Sequence, residues 1–325
     1  MQRSRFITLC ACATHLWLAG TTVTAFAQSW PAKPVRIIVP FQPGGGSDTQ
    51  ARLLGKKFTE SMGQSFVVEN RGGAGGVIGA DIVAKAPPDG YTILFSTASL
   101  AVNATLYKKG NFDPLRDLAA VSRFSSAPLI LVVHPSVPAK TVKELVALAK
   151  QRRGKMNAGS NGTGTTSHLA IEMLKQSAGI DVAHIPYKGG APAAVAVMSG
   201  EVDLRFSGAL AVLPHIRAGR VRPIAVASER KSAVLPELPT LATYYPGFDV
   251  DNWYAMFVPA GTPKEIIGKL HSEIVKVLSS ADMRDAISRD GAEPAGSTPE
   301  ELAAYFRREV EKYAKLIKAA NVQAE

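Results

Sequence analysis

The sequence predicts an α/β protein of two open-sheet units. Three observations carry this: strand-like and helix-like segments alternate along the chain, each half places a glycine loop between a strand and a helix, and 46% of the 325 residues are apolar. Alternating β and α segments build parallel sheets with helices on both faces. A chain of this length fills one large core or two ordinary ones.

The first unit opens with a β-rich run over 35–41, then a glycine loop, a helical stretch over 49–62 and a second strand over 66–69. A glycine-rich turn, a helix over 77–86 and a strand over 92–96 follow, with Pro87-Pro88-Asp89-Gly90 stopping the helix. The second unit starts with an apolar strand over 129–133. Thr141 caps the next helix, with Glu144 at capping-box spacing, and the pattern runs to Lys150. Strands over 155–158, 183–187, 203–206 and 223–227 then alternate with helices over 166–177, 192–199 and 210–217. A proline-rich linker over 235–246 leads to a strand over 253–258 and two helices, 264–278 and 299–320. Leu302, Tyr305, Phe306, Val310, Tyr313, Leu316 and Ile317 form one apolar stripe on the last helix, which needs a core to dock on, and the first unit is the natural one.

At the N-terminus, Arg3 and Arg5 precede an apolar stretch over 6–19 and then Ala25-Phe26-Ala27, the pattern of a cleaved secretory signal. Thr14, His15, Thr21, Thr22 and Thr24 keep that stretch short of the roughly 20 apolar residues a membrane span needs. Cleavage after Ala27 makes residues 1–27 the signal peptide and starts the mature chain at Gln28. Both cysteines, Cys10 and Cys12, then leave with the signal, which excludes disulfides, thiolate metal sites and thiol catalysis. The net charge falls from +10 to +8 with Arg3 and Arg5, and the remaining basic residues are scattered. Nucleic acid is therefore not an expected partner, since phosphate tracking needs a clustered basic stripe.

Ligands of open parallel sheets bind where strand-to-helix loops converge. Three loops qualify. Pro43-Gly44-Gly45-Gly46-Ser47-Asp48 follows the first strand, and its glycines let backbone N–H groups approach an anion. Ser47 or Asp48 suits the helix N-cap as well as ligand contact. Ser96-Thr97-Ala98-Ser99 offers three hydroxyls after a strand, and Gly159-Ser160-Asn161-Gly162-Thr163-Gly164-Thr165-Thr166 does the same in the second unit. Donor-rich loops on both units suggest an anion held between them.

Rival motifs lack what their chemistry requires. The Gly-Lys pairs at Gly55, Gly154 and Gly268 are followed by Lys57, Met156 and Leu270 rather than Ser or Thr, so no phosphate-binding loop of the Walker type is present. Gly162-Thr163-Gly164 approaches a dinucleotide fingerprint, but Ser167 stands where the third glycine belongs. No cofactor is expected, and the isolated histidines lack the spacing of a helical zinc pair. The alternative function is a secreted serine hydrolase. Ala158-Gly159-Ser160-Asn161-Gly162 is a near miss to a nucleophile elbow and would make Ser160 the nucleophile, with a base among His168, His184, His215 and His271.

The sequence around these loops resembles the Bug receptors, the substrate-binding subunits of tripartite tricarboxylate transporters. The resemblance rests on Val35-Arg36-Ile37-Ile38-Val39-Pro40-Phe41, the Pro43-to-Asp48 loop, Glu69-Asn70-Arg71, Gly73-Ala74-Gly75-Gly76 and Pro88-Asp89-Gly90-Tyr91-Thr92. It continues through His134-Pro135-Ser136-Val137-Pro138-Ala139, Pro186-Tyr187-Lys188-Gly189 and Leu213-Pro214-His215-Ile216-Arg217-Ala218-Gly219. Pro259-Ala260-Gly261-Thr262-Pro263 and Gly296-Ser297-Thr298-Pro299-Glu300-Glu301 extend it to the C-terminal part.

The resemblance implies a type II periplasmic-binding-protein fold: two α/β domains, 28–128 with 250–325 and 129–249, joined by a two-strand hinge around a ligand cleft. It implies no catalysis. A monomer in the periplasm would capture a small carboxylate and hand it to the membrane subunits of a transporter, or to a sensor kinase. The implied binding residues on the first domain are Phe41, Gly44, Gly45, Gly46, Asp48, Ser96, Thr97 and Ser99. On the second they are Ser160, Gly162, Thr163, Gly164, Thr165, Tyr187 and Ser207, with no arginine clamp required. One departure stands out, because many members carry an aspartate after the phenylalanine that is Phe206 here, whereas this chain has Ser207 and places Arg205 two residues before it. Strand alternation leaves two readings of Arg205, toward the cleft or away from it.

Overall fold

The structure, a computed structural model, describes residues 30–107, 112–289, 291–319 and 322–323, so the expected signal segment 1–27 lies outside the described residues. The first part of the chain runs β1 (Val35–Val39), α1 (Gly46–Met62), β2 (Phe66–Asn70), α2 (Val77–Ala84), β3 (Thr92–Thr97), α3 (Ser99–Leu106) and a single turn, α4 (Pro114–Asp117). β1 pairs in parallel with β2 on one side and β3 on the other. Only Arg36 of its five residues is exposed, as a strand covered on both faces requires.

The chain then enters β4 (Leu118–Val133), sixteen residues long. The second part continues with α5 (Val142–Arg152), β5 (Asn157–Ser160), α6 (Thr166–Ala178), β6 (Ala183–Pro186), α7 (Gly190–Ser199), β7 (Leu204–Gly208), α8 (Ala209–Arg217) and β8 (Arg222–Val226). β5 lies in parallel between β6 and β7. The expected capping box of α5 is present: the Thr141 hydroxyl accepts the Glu144 N–H, and the Lys140 N–H donates to the Glu144 carboxylate. The chain returns along β9 (Asp251–Pro259) and ends with α9 (Lys264–Ser279), α10 (Ala281–Arg289), β10 (Glu293–Pro294) and α11 (Pro299–Ala319).

β4 ties the two parts together. At roughly 3.3 Å per residue it spans about 50 Å, long enough to serve two sheets. Its first stretch, Leu118 to Pro128, pairs antiparallel with β9, and its last, Leu129 to Val133, pairs antiparallel with β7 and β8. Partners change at Pro128, which faces Asp251 and has no N–H to place. Irregularities in register at Ala120/Ser122 and Arg123/Ser125 bend the strand before the change. The returning chain crosses beside it, where the Ala227 N–H donates to Leu129 O and the Val250 N–H donates to Ala227 O, both at 2.8–2.9 Å.

Three features differ from the sequence reading. The stretch 118–128 is strand, although its serines, Arg123 and bulges hide the two-residue period, and α3, α4 and α10 are additional helices. α1 and α7 also begin at Gly46 and Gly190, earlier than expected, with Gly45 and Gly189 taking the N-cap positions, where glycine is among the tolerated residues.

The C-terminal helix docks as its stripe requires. Leu302, Phe306, Tyr313 and Ile317 are buried, with α3 and β4 as neighbours. Phe306 meets Trp253 edge-on at 6.1 Å and Phe257 at 5.3 Å between ring centroids. The buried Glu309 accepts the Trp253 indole N–H at 3.0 Å. Phe306→Ala is expected to cost about 3–5 kcal/mol, read as a lower urea midpoint with an unchanged slope.

At the strand crossing, burial pushes the Asp251 carboxyl up to about 6, beside Asp249, although the Ser126 hydroxyl and the Asn252 N–H bond it and Lys312 is near. Its folded value lies above its unfolded one. The stabilising effect of the protonated form is therefore complete at low pH and lost as pH rises through about 6. Thermal melts of Asp251→Asn and the native chain should accordingly diverge between pH 4.5 and 7, with the variant gaining in relative stability as pH rises. A constant difference across that range would contradict the assignment.

Candidate functional site

The cleft between the two parts is built mainly from the first turns of five helices. Gly45, Gly46 and Ser47 come from the start of α1, Ser99 from α3, Thr166 from α6, Gly190 from α7, and Gly208 and Ala211 from α8. Phe41, Thr97, Asn161, Arg205, Ser207, Asn252 and Tyr254 complete the lining, around a space of about 450 Å³ including its open mouth. Helix starts leave backbone N–H groups without intrahelical partners and carry partial positive charge. Four of these five have glycine or alanine as N-cap and no side-chain cap: Gly45, Ala98, Gly189 and Gly208. Only α6 is capped, by the Thr165 hydroxyl accepting the His168 N–H.

The two walls meet. The Thr166 N–H donates across the cleft to the Ser99 hydroxyl at 3.4 Å, and the Thr166 hydroxyl reaches Asn252 Oδ1 at 3.5 Å. Bare backbone forms much of the remaining contact. Gly44 and Gly45 face Gly190 and Ala191, and Gly75, at φ +60°, lies so close to the Thr163 carbonyl oxygen that a Cβ would overlap it. Tyr254 stands between the walls, near Gly46 and Gly208, and its burial raises its phenol pKa, which keeps it a neutral donor.

Charge in the cleft is one-sided. Arg205 is 1% exposed, and among the residues lining the cleft there is no acidic side chain. Its Nη1 donates to Gly190 O at 3.1 Å and its Nη2 to Asn161 Oδ1 at 2.9 Å, while Nε has no partner. Burial brings its pKa down to about 10, so it remains a cation at neutral pH. The reading in which Arg205 turns away from the cleft is corrected: two residues apart on β7, Arg205 and Ser207 share a face.

Of the expected binding residues, Phe41, Gly45, Gly46, Thr97, Ser99 and Ser207 line the cleft. The others stand behind it. Gly44 forms its rim, and its N–H donates to Asp48. Asp48 is not the N-cap but lies in the first turn of α1. Burial opposes its ionisation, yet bonds from Arg52, Gly44 and Asn70 outweigh this and hold its pKa below the usual carboxylate range. Ser96 is buried within β3. Gly162, Thr163, Gly164 and Thr165 shape the loop before α6, where Gly162 and Gly164 pack against Gly75 and Asn103. Tyr187 donates to Glu201 at 2.7 Å, and burial with that bond raises its pKa to about 12.

Ser160 is fully buried. Its Oγ lies 2.6 Å from His184 Nε2 and accepts the Gly162 N–H at 3.1 Å. His184 stacks on His168 at 3.9 Å, and burial drives the His168 pKa down to about 3, leaving it neutral. This arrangement holds the loop rather than facing the cleft. Asn161 and Thr166 belong to the third candidate loop, and Arg205 was left open between two readings; Gly190, Ala211, Asn252 and Tyr254 are lining residues that sequence reasoning missed. The signal available for the last two was their two-residue spacing on one strand.

A larger groove, about 1350 Å³ including open solvent, lies beside the strand crossing and carries five acidic and three basic side chains. None of the glycine loops reaches it, and its mixed charge favours no single kind of ligand.

A fold of two sheets sharing a hinge strand, with uncapped helix starts facing each other over a small polar cleft, defines a solute-binding receptor of the periplasmic-binding-protein class. The family described as "Tripartite tricarboxylate transporter family receptor" matches residues 50–322. Protein BugT of Bordetella pertussis is 37% identical over 303 residues, covering 92% of this chain and 93% of BugT. Among solved structures, periplasmic binding protein BugD superposes with TM-score 0.87 at 34% identity, over 91% of this chain and 100% of BugD. An R. palustris protein with adipate gives TM-score 0.87 at 34% identity over 90% of this chain and 99% of that one. MatC from Rhodopseudomonas palustris with bound malate gives 0.84 at 29%, over 88% and 99%. The chain belongs to the tripartite tricarboxylate transporter receptor family. That family consists of receptors and not enzymes, so the serine hydrolase reading of Ser160 is set aside.

Ser160→Ala is expected to destabilise the fold by about 1–3 kcal/mol, the cost of leaving buried partners unmet. Chemical denaturation measures it, and an unchanged midpoint would show that the hydroxyl does not hold the loop.

Proposed function

We propose that this chain is a periplasmic receptor that captures a small carboxylate by closing its two domains over it and presents the closed form to the membrane subunits of a tripartite tricarboxylate-type transporter. The observation that carries this reading is the charge of the cleft: uncapped helix starts from both walls converge on it, its one ionised lining residue is the cation Arg205, and its lining has no acidic side chain. Such a site attracts and desolvates an anion. Adipate and malate in two related structures support a carboxylate as that anion.

In this reading the mobile units are 28–128 with 250–325 and 129–249, acting as a monomer. Their relative rotation is concentrated where β4 changes partners at Pro128 and where the return strand passes Ala227 and Val250. Donors from the first domain, at Gly45, Gly46, Thr97 and Ser99, and from the second, at Thr166 and Ser207, engage the solute from opposite sides.

Thermal melts of the mature protein against mono-, di- and tricarboxylates test the reading, with small-angle scattering as a second measurement. The expected outcome is a melting shift with at least one carboxylate and a smaller radius of gyration at saturation. No shift with any of them would overturn it. Gly75→Ala is a sharper probe, since the added methyl overlaps Thr163 in the closed form. Affinity should fall about tenfold or more, whereas Gly63→Ala, which bears similar left-handed strain at φ +71° with open space around it, should leave affinity unchanged.

A further inference from the structure

The buried guanidinium of Arg205 is not explained by the fold. A buried cation is usually held by a carboxylate, yet the acceptors of Arg205 are a backbone carbonyl and an amide oxygen, and no acidic side chain pairs with it among the described residues. Its Nε–H is buried without any partner. Two acceptors occupy two of the five N–H groups of a guanidinium, so donors remain for a group that enters the cleft. Ser207, on the same face of β7, makes only a 3.5 Å contact with the Gly208 carbonyl. Of the titratable groups that feel its charge, Tyr187 is a neutral phenol bonded to Glu201, and the pKa of His215 is lowered by burial and nearby cations.

The opposite wall carries donors suited to one carboxylate. The start of α1 offers N–H groups, and the Thr97 and Ser99 hydroxyls, which accept the Ser99 and Thr166 N–H groups, have their own O–H to give. A solute with a single acidic group that docks there leaves Arg205 desolvated and uncompensated. A second acidic group supplies the missing counter-charge. An ammonium group, in contrast, finds no carboxylate in the lining and a fixed cation nearby.

We infer that Arg205 is the specificity-determining residue of the cleft, pairing with a second acidic group of the solute so that amine-free diacids are selected over monoacids and over amino acids of the same carbon skeleton. The inference rests on the receptor reading above and narrows it. The role belongs to the guanidinium itself, because truncating one partner of a buried, hydrogen-bonded charge pair typically costs 2 kcal/mol or more, about 30-fold in affinity.

Calorimetric titration of the native protein and Arg205→Gln with matched probes tests it: succinate, butyrate and aspartate at one length, and adipate, hexanoate and 2-aminoadipate at another. The native protein should bind the diacid at one of the lengths at least about 30-fold more tightly than its monoacid and amino-acid counterparts. Arg205→Gln should lose about 30-fold for that diacid and less than threefold for the monoacid. Ser207→Asp places a competing carboxylate on the same strand face, and it should weaken the diacid while raising the affinity of the amino acid relative to it. This second variant carries the test where Arg205→Gln does not fold. Equal losses for diacid and monoacid, or amino acids bound as tightly as diacids by the native protein, would overturn the inference while leaving the receptor reading intact. Failure of the native protein to bind any carboxylate would overturn both.

Discussion

The structure depends on one strand satisfying its backbone hydrogen bonds in two sheets. β4 meets β9 along its first stretch and β7 with β8 along its last, so neither sheet is complete without it. Backbone groups left unpaired in such a setting cost free energy comparable to a lost hydrogen bond, which makes the handover point critical. Pro128 sits there and brings no N–H that either sheet would have to satisfy. Bulges just before it supply the bend. The two sheets are thereby joined through hydrogen-bonded strands instead of a free linker.

That geometry also builds the cleft. Because strand-to-helix loops of both sheets open toward the same gap, five helix starts converge on it. The sequence reinforces the effect by placing Gly45, Ala98, Gly189 and Gly208 at caps where Ser, Thr, Asp or Asn would consume an N–H. The Thr165 cap of α6 is the exception, and its hydroxyl also donates to Gly162 O and so stiffens the loop that faces Gly75. Polar groups that a single-sequence reading assigns to a ligand are here divided between those that point into the gap and those that fix the shape of its walls.

Much of the architecture was legible. The alternation of strand and helix, the Thr141 capping box and the apolar stripe of the last helix each have a local cause that survives folding. The first half of β4 was not legible, since bulges interrupt its period and Pro128 reads as a stop. Site residues were harder. Ser160 and Thr165 are hydroxyls on a glycine loop, as a ligand donor should be, but His184, Gly162 and His168 engage them within their own domain. Asn252 and Tyr254 belong to a strand whose cleft-facing side is set only by its pairing with β3 and β4. Arg205 was visible in principle, because residues two apart on a strand share a face, and Ser207 was already a candidate.

The bare lips of the cleft have a consequence for how strongly the two walls hold each other. Where Gly44, Gly45 and Gly75 meet Gly190, Ala191 and Thr163, the touching surfaces are largely backbone, with few side chains to bury. Little apolar area is gained when the lips touch, so the lips alone give weak preference for the shut shape. A ligand shifts a conformational balance only by its differential affinity for the two shapes, and here most of that difference must come from the solute's own contacts with both walls. On the proposed receptor reading, a shut cleft is one that holds its solute.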